Sequence, residues 1–439
     1  MKRIVVLLFV LLFGFLQTNY AQNEKVDWEQ KGKVFLRLLE DGKYGQAISR
    51  CDSVMKKHLD EKRLAKLWTD LKDQMGAFQS VVRVKVEETG VYHRVNVICR
   101  FDAGKFNILV VFNAREQVAG LWFLPVNAPK YEIPTYVDTT AFYEEQVKFG
   151  QPDWQLPGVL SIPRNGSQFP AVVLVHGSGP NDRDETIGPN RPFRDLAWGL
   201  ASRGILVFRY DKRTKVYGPR MTGKAITVEN EVIEDALSAV QLVRKRADVD
   251  QKKIFVLGHS LGAMLAPEIG SRSKGIAGIV MLAAPASTLE DVISYQLPYL
   301  EALKPATSEK EKKQLDSLLT LLKKIKNETL PDTVKVMGAS ASYYYDLHRR
   351  NQVMFAKSLK IPCLLLQGGR DYQVRPDEFK IWQKELAGHT NCRFISYPAL
   401  NHLFMAGEGK STPAEYMDQQ RHVFAQVILD IATWIHEIK

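Results

Sequence analysis

Cysteine, long apolar stretches and blocks of like charge are all scarce in this chain of 439 residues, and each shortage excludes a class of protein. The four cysteines, Cys51, Cys99, Cys363 and Cys392, are scattered without the close spacing that metal ligands need. The formal net charge is +11, but the excess is spread without any block of five or more like charges. We therefore expect neither a cysteine-bound metal nor a nucleic-acid partner.

The first 22 residues have the layout of a secretory signal peptide. Lys2 and Arg3 precede an apolar run from Ile4 to Leu16, and a short polar exit ends near Ala21. The run is shorter than the roughly 20 residues that span a membrane. The sequence therefore predicts a signal peptide over residues 1–22, export to the periplasm or the medium, and no stable membrane anchor after cleavage.

An exported chain can form disulfides, so we keep one disulfide among the four cysteines as an alternative. Cys363 lies in the apolar stretch "IPCLLLQGG", which predicts a core strand. A cysteine in such a strand behaves as a small buried hydrophobic residue. We therefore expect Cys363 to be a buried thiol, with a disulfide as the alternative.

Hydrophobic periodicity divides the rest of the chain into two domains. Residues 28 to 78 have the spacing of amphipathic helices, and "SVVRVKVEETGVYHRVNVICRF" then alternates like antiparallel strands. We expect a small α+β domain over residues 23–128. Pro125, Pro129 and Pro134 mark a linker, beyond which we expect a second, larger domain over residues 129–439.

The segment "KKIFVLGHSLGAMLAPEIG" joins a predicted strand to a predicted helix through Gly-His-Ser-Leu-Gly. A serine between two glycines at such a junction fits a nucleophile elbow, a sharp turn that exposes the serine hydroxyl. Gly258 and Gly262 allow the strand and the helix to approach closely, because glycine carries no Cβ atom. We identify Ser260 as the candidate nucleophile.

A nucleophilic serine needs a base and an acid that orients the base. Among nine histidines, His402 follows an apolar strand and lies in a loop, after the acid in chain order. His259 belongs to the elbow, and we expect its ring to point away from the Ser260 hydroxyl. Asp371 stands just past a strand end and is the candidate acid. Asp377, at the start of the next helix, is the alternative, although capping explains it more simply.

The loop "HGSGPNDRD" follows the predicted strand over residues 171–175. Its small residues would let backbone N–H groups approach a substrate oxygen, which is the requirement for an oxyanion hole. The candidate donors are the backbone N–H groups of Ser178 and of Leu261, the residue after the nucleophile. The loop lacks the Gly-Lys-Ser/Thr ending of a phosphate-binding loop.

Taken in order, "HGSGPNDRD", "GHSLG", "GGRDYQV" and "NHLF" resemble the motifs of α/β-hydrolases of the bacterial serine esterase type. The resemblance covers the chain from about residue 130 to its end. It implies an α/β-hydrolase fold, a mostly parallel sheet flanked by helices, with a catalytic triad of Ser260, Asp371 and His402. It also implies an oxyanion hole formed by the backbones of Ser178 and Leu261.

One loop of the second domain departs from this resemblance. Many relatives have an Arg-Gly-x-Gly-x-Ser turn where this chain has "FRYDKRTKVYG", which leaves the shape of that loop open.

The small α+β domain lies outside this resemblance. It resembles, by pattern alone, the uncharacterised cystatin-like or scoop-like modules that precede bacterial hydrolases. We find no catalytic constellation in it and expect a spacer or packing partner, with a ligand or dimer contact as the alternative.

Residues 287–356 separate two predicted strands of the α/β domain, a long excursion for such a connection. The stretch "SEKEKKQLDSLLTLLKKIKNETL" has leucines on one helical face and lysines on the other. We predict a helical cap insertion that roofs the site. Tyr343, Tyr344 and Tyr345 follow and are candidates for lining a substrate pocket, with core packing as the alternative.

These residues predict acyl transfer to water, with His402 as the base, Asp371 as its orienting acid and neither metal nor cofactor. The expected substrate is a small-molecule carboxylic ester with a small or medium acyl group, or a sugar ester. Two other functions stay open. One is a serine peptidase or amidase, and the other is a catalytically silent binding protein that keeps the hydrolase fold. Homo-oligomerisation is also left open.

Overall fold

The computed structural model describes residues 26–89, 91–102, 104–126, 131–221, 226–304, 307–417 and 419–439. These residues form two compact units that divide at Tyr131. The predicted signal peptide, residues 1–22, and the predicted boundary between residues 128 and 129 lie outside the described residues. Among the helices in the described ranges, none is both long enough and apolar enough to cross a membrane.

The first unit consists of helices followed by an antiparallel sheet, as predicted. Its helices are α1 (Trp28–Glu40), α2 (Tyr44–Ser49), α3 (Ser53–His58) and α4 (Glu61–Met75). Its strands are β1 (Phe78–Thr89), β2 (Tyr92–Phe101), β3 (Gly104–Phe112) and β4 (Val118–Pro125), paired in chain order. Alternation along β2 buries Val95, Val97 and Cys99 in one core with Leu39 of α1 and Trp68 of α4.

The second unit is built on an eight-stranded sheet with helices on both faces, the predicted α/β-hydrolase architecture. Its strands are β5 (Phe142–Phe149), β6 (Leu156–Pro163), β7 (Phe169–Val175), β8 (Leu206–Tyr210), β9 (Val249–His259), β10 (Gly278–Leu282), β11 (Lys335–Val336), β12 (Ala339–Ser340), β13 (Cys363–Gly368) and β14 (Cys392–Tyr397). The large sheet has the order β14-β13-β10-β9-β7-β8-β6-β5, while β11 and β12 form a separate two-stranded ribbon. In the large sheet β6 is antiparallel to both of its neighbours, β5 and β8, and the other neighbouring strands pair in parallel.

Helices cover both faces of this sheet, and alternating strand residues fill two cores. The helices are α5 (Pro192–Ala201), α6 (Arg213–Met221), α7 (Glu234–Arg244), α8 (Leu261–Arg272), α9 (Leu289–Ala302), α10 (Glu309–Lys326), α11 (Ala341–Arg350), α12 (Gln352–Ser358), α13 (Pro376–Glu385) and α14 (Ala425–Glu437). Val173 and Val175 of β7 pack in the core that contains α7 and α8. Val172 and Leu174 pack in the core that contains α5 and α14. Burial on both faces explains why these strands read as continuous apolar runs.

The sheet topology gathers the predicted site residues at one edge. Strands β7, β9, β10, β13 and β14 are parallel neighbours, so their carboxyl ends point the same way. The loops that carry Ser178, Ser260, Asp371 and His402 follow β7, β9, β13 and β14 respectively. Ligand sites of open α/β sheets form outside these carboxyl ends.

The segment between β10 and β13 is a helical insertion, as the sequence predicted. It contains helices α9 to α12 and the β11–β12 ribbon. Leu322 and Ile325 of α10 share a buried cluster with Val336, Tyr344 and Tyr345. The apolar stripe read from the sequence is therefore the face by which α10 packs on the rest of the insertion.

The expectation that Cys363 is a buried thiol was wrong, because Cys363 and Cys392 form a disulfide. The two cysteines begin the adjacent parallel strands β13 and β14 and lie directly opposite each other in the register, with Cα atoms 4.6 Å apart. Cys51 and Cys99 are free and buried in the first unit. Burial raises the pKa of Cys51 to about 11 and that of Cys99 to about 12.

Candidate active site

Ser260 lies at a sharp turn between β9 and α8 with φ 53° and ψ −116°, outside the usual range for a residue with a side chain. A Cβ atom on Gly258 would lie 2.2 Å from the carbonyl oxygen of Gly262. One on Gly262 would lie 2.1 Å from the carbonyl oxygen of Val175. The two glycines are therefore required by the close packing of strand, helix and neighbouring strand, the steric reason expected of an elbow.

His402 and Asp371 are in contact and almost completely buried. The Nδ1 atom of His402 lies 2.7 Å from Oδ2 of Asp371. The other carboxylate oxygen of Asp371 accepts the backbone N–H groups of Gln373 and Val374 at 2.8 and 2.9 Å. The carboxylate is thus fixed by its own turn and holds Nδ1, which leaves Nε2 as the ring atom able to receive a proton.

The alternative acid, Asp377, lies in a different environment. It belongs to the first turn of α13, is 60% exposed, and pairs with Lys380 at 3.0 Å. A carboxylate near a helix N-terminus interacts favourably with the helix dipole, which accounts for its position. The structure therefore brings Asp371, and not Asp377, to His402.

Both candidate oxyanion donors flank the elbow. A Cβ atom on Gly177 would lie 3.3 Å from Cβ of Ser260, so the loop after β7 passes directly beside the nucleophile. Ser178 is the next residue of that loop. Leu261 is the first residue of α8, where backbone N–H groups have no partner within the helix. Both loops therefore lie next to the nucleophile, and the role of the two N–H groups as oxyanion donors stays a prediction.

Sequence reasoning missed a buried charged pair behind the site, formed by His259 and Glu185. Nδ1 of His259 lies 2.9 Å from Oε2 of Glu185, and Nε2 lies 2.9 Å from the carbonyl oxygen of His402. Nε2 must therefore donate its proton, and the carboxylate favours a second proton on Nδ1. Glu185 also accepts the Gly177 N–H through Oε1 at 2.7 Å. The pair thus connects the loop beside the nucleophile with the loop that carries His402.

The protonation of this pair follows from its surroundings. Burial alone would lower the pKa of His259, but the charge of Glu185 and contacts with it and with the His402 carbonyl outweigh burial and raise it. Burial alone would raise the pKa of Glu185, but His259 and the Gly177 N–H outweigh burial and lower it. Both directions favour the ionised pair, an imidazolium on His259 and a carboxylate on Glu185. The "GHSLG" motif contains His259, but no spacing in the sequence indicates Glu185 as its partner.

The three predicted pocket tyrosines are buried, and each hydroxyl is bonded within the second unit. Tyr343 donates to Oε2 of Glu231 at 2.6 Å. Tyr344 donates to the carbonyl oxygen of Val336 at 3.2 Å, and Tyr345 donates to that of Leu330 at 2.9 Å. The bonds of Tyr344 and Tyr345 lie within the insertion, that of Tyr343 joins the insertion to the segment before α7, and none of the three is made with Ser260. The role of the tyrosines in a substrate pocket stays a prediction.

A different helix of the insertion contacts the acid loop. Tyr299 of α9 stacks on Tyr372, the neighbour of Asp371, with ring centroids 5.2 Å apart. Tyr295 of the same helix donates a hydrogen bond to the carbonyl oxygen of Gln373 at 3.1 Å. The insertion therefore reaches the loop of the acid through α9. Within the described ranges, no group of three or more His, Cys, Asp or Glu side chains is arranged to hold a metal ion.

Comparison with known proteins shows which families the chain is similar to. The family profile described as "Serine aminopeptidase, S33" matches residues 169–409. A profile for a family of unknown function, DUF3887, matches residues 33–121. The protein called esterase EstD from Thermotoga maritima is 43% identical over 408 residues, which are 93% of this chain and 95% of that protein.

Two solved structures illustrate the more distant similarity. An esterase from Pyrococcus furiosus, Pf2001, is 18% identical with a TM-score of 0.45, and the match covers 71% of this chain and 97% of that one. Est1E from Butyrivibrio proteoclasticus is 16% identical with a TM-score of 0.45, and the match covers 66% of this chain and 99% of that one.

Proposed function

Because this chain belongs to the S33 serine aminopeptidase family of hydrolases, we propose that it is a serine esterase, which cleaves carboxylic esters through an acyl-enzyme on Ser260. The observation that carries the proposal is the buried contact of His402 with Asp371 at 2.7 Å, on loops that leave the same sheet edge as the Ser260 elbow. The name of the Thermotoga maritima relative favours an ester over an amide as the substrate.

In this proposal each group has one task. His402 takes the proton of the Ser260 hydroxyl as the oxygen attacks the ester carbonyl, and it later returns the proton to the leaving alcohol. Asp371 keeps the imidazole in the correct tautomer and stabilises the imidazolium. The N–H groups of Ser178 and Leu261 bind the oxyanion, and each lowers the barrier by about 3 kcal/mol. Water activated by His402 then releases the acid.

The proposal is tested with purified mature protein and soluble carboxylic esters. Ser260→Ala and His402→Ala should each lower ester hydrolysis by several orders of magnitude while the protein stays folded, because triad members act as a unit. A fluorophosphonate should label the wild type and not Ser260→Ala. Retention of more than about a tenth of the activity by either variant would refute the assignment. Aminoacyl amides assayed in parallel would reveal a peptidase, and an unlabelled, inactive wild type would indicate a binding protein.

The acid is tested by a matched pair of variants. Asp371→Asn removes the charge that orients His402, so kcat should fall by roughly 10⁴-fold. Asp377→Asn changes the same group on the exposed surface six positions later, and its kcat should stay within twofold of the wild type, roughly the spread expected of a surface change. If Asp377→Asn instead lowers kcat more than Asp371→Asn does, the acid of the triad is Asp377.

We further propose that the substrate has a small or medium acyl group or is a sugar ester. The supporting observation is the contact of α9 with the acid loop, which places the stacked pair Tyr299 and Tyr372 beside Asp371. A hydrophobic pocket wall changes the transition-state binding free energy of two substrates by roughly 1 to 3 kcal/mol for each methylene by which they differ and which it encloses. Tyr299→Ala should therefore change the relative rates on acetate, butyrate and octanoate esters. Identical ratios in wild type and variant would show that this wall does not select the acyl group.

Export is likewise proposed and rests on two observations. The residues before position 22 have the layout of a signal peptide, and disulfides such as that of Cys363 and Cys392 are typical of oxidising compartments. Native protein should begin within a few residues of Gln22 and lie outside the cytoplasm. An intact Met1 on the native protein would contradict export. Light scattering of the same preparation would test homo-oligomerisation.

A further inference from the structure

A lysine is buried beside the loop that carries the candidate oxyanion donor. Lys212 follows β8 and is only 2% exposed. Its Nζ atom donates to the carbonyl oxygen of Gly177 at 3.0 Å and forms an ion pair with Oε1 of Glu231 at 2.9 Å. Lysine is almost never buried to this extent unless it is paired, because its charge loses the solvation of water. The position of this cation therefore needs an explanation.

The atom that Lys212 binds belongs to the peptide unit that the oxyanion hole uses. The carbonyl of Gly177 and the N–H of Ser178 are the two ends of one planar trans peptide, so they point in opposite directions. A bond that fixes the carbonyl therefore also fixes the direction of the N–H. A charge-assisted bond to the carbonyl also polarises the amide and strengthens its N–H as a donor.

We propose that Lys212 is a positioning residue that directs the Ser178 N–H toward the substrate oxyanion. The inference rests on the proposed function, because an oxyanion forms only if Ser260 attacks an acyl group. Gly177 has no Cβ atom, so its backbone is freer to rotate than that of other residues. Glu185 holds the N–H of Gly177 at 2.7 Å and Lys212 holds its carbonyl at 3.0 Å. The peptides on both sides of this glycine are thus fixed by buried charged groups.

The positioning contact continues into the helical insertion. Glu231, which is buried, pairs with Lys212 through Oε1 and accepts the Tyr343 hydroxyl through Oε2 at 2.6 Å. A continuous chain of polar contacts therefore runs from Tyr343 of α11 through Glu231 and Lys212 to Gly177. This role accounts for Tyr343 better than lining a pocket, because its hydroxyl is committed to a buried carboxylate.

A purely structural ion pair would make a different prediction. Its loss would lower stability and change kcat only as far as the fraction of folded protein falls. A misdirected oxyanion donor instead lowers kcat with little effect on KM, because the oxyanion exists in the transition state and not in the bound ester. Loss of one donor outright costs about 10² to 10³ in kcat. Loss of its orientation should cost about 10-fold to 100-fold.

The test compares Lys212→Met, which keeps most of the length of the side chain but removes its terminal ammonium, with Arg213→Met. Arg213 is the next residue, is 3% exposed, and pairs with Asp235 and Glu234 and not with Gly177. Both variants lose a buried cation, so both should lose thermal stability. Only Lys212→Met should show the fall in kcat with KM within about threefold of the wild type. Its affinity for a trifluoromethyl ketone, whose adduct with Ser260 is an oxyanion, should fall in parallel.

The possible results separate the two proposals. If Ser260→Ala is as active as the wild type, the proposed function fails before Lys212 is considered. If Ser260→Ala is inactive and Lys212→Met keeps the kcat of Arg213→Met, the positioning role is overturned. If Lys212→Met does not fold, the positioning role is tested with Glu231→Gln, which removes the charge that pairs with Lys212. A lower kcat with KM retained supports the role, and an unchanged kcat overturns it.

Discussion

The buried pair of Glu185 and His259 provides a test of how the site is held together. Glu185→Gln keeps the size of the side chain and an oxygen that can accept the Gly177 N–H, now bonded at 2.7 Å. It removes the negative charge 2.9 Å from Nδ1 of His259. Without that charge the largest effect that raises the pKa of His259 is lost, so burial, which lowers the pKa, favours the neutral ring against the remaining effects of the His402 carbonyl and Asp371. The variant therefore deletes one ionic interaction and retains the hydrogen bond to Gly177.

The expected loss of stability can be bounded from the burial of the pair. Glu185 is 2% exposed and His259 is 5% exposed, so neither charge is screened by water. Removal of one partner of a buried pair costs about 3 to 5 kcal/mol. Because the glutamine still accepts a hydrogen bond and His259 can lose its proton, we expect the lower end, about 3 kcal/mol. For a unit of this size that corresponds to a decrease in Tm of about 5 °C.

The dependence on pH identifies the ionic origin of this loss. The pKa of Glu185 is lowered from its usual 4.5, so its contribution is complete above 4.5 and is lost as the pH falls through the folded-state pKa. The pKa of His259 is raised from its usual 6.5, so its contribution is complete below 6.5 and is lost as the pH rises through the folded-state pKa. The difference between wild type and variant should thus be largest between pH 4.5 and pH 6.5.

The assay is urea unfolding of wild type and Glu185→Gln at a series of pH values across and beyond that window. Glu234→Gln serves as the control, because Glu234 is 40% exposed in its pair with Arg213. Its loss should be less than about 1 kcal/mol, as for other surface ion pairs. A difference for Glu185→Gln that stays constant with pH would refute the assignment of an imidazolium and a carboxylate.

Two further predictions concern the framework of the site. Replacing Cys363 and Cys392 by serine should lower the free energy of unfolding by about 2 to 4 kcal/mol, because the disulfide constrains the unfolded chain, with kcat unchanged at temperatures where the protein is folded. A stability equal to that of the wild type would show that the bond is absent in solution, which thiol titration would check. Gly262→Ala should abolish activity or folding, because the new Cβ would lie 2.1 Å from the carbonyl oxygen of Val175. An active Gly262→Ala enzyme with unchanged Tm would show that the elbow is less tightly packed than described.

The parts of the fold that the sequence predicted are those that depend on local patterns. Strands such as β9 and β13 are fully buried through most of their length, so they appear as apolar runs interrupted by glycine. The elbow was identifiable because the steric requirement for Gly258 and Gly262 falls within five residues of Ser260. His402 and Asp371 were found because each follows the end of a strand. In each of these cases the residues that form the pattern lie close in the sequence to the residues whose structure the pattern predicts.

The disulfide and the charged residues behind the site required long-range information. Cys363 and Cys392 meet because of the register between β13 and β14, and a strand pattern does not specify register across a separation of 29 residues. Glu185 and Lys212 bind backbone atoms of Gly177. Because almost every residue has the same backbone groups, the sequence does not show which of them a charged side chain will bind. Such partners become identifiable only when the loops have been placed at the sheet edge.

The charges around Gly177 follow from a requirement that apolar packing cannot meet. Dispersion and hydrophobic contacts fix the position of a loop but do not depend on which way a peptide N–H points. Hydrogen bonds depend strongly on direction, and those from charged groups are the strongest. Burying charges costs solvation, and well-packed apolar residues often give equal or greater stability. Lys212 and Glu185 are therefore better explained by the direction that they impose on the two peptides of Gly177 than by stability alone.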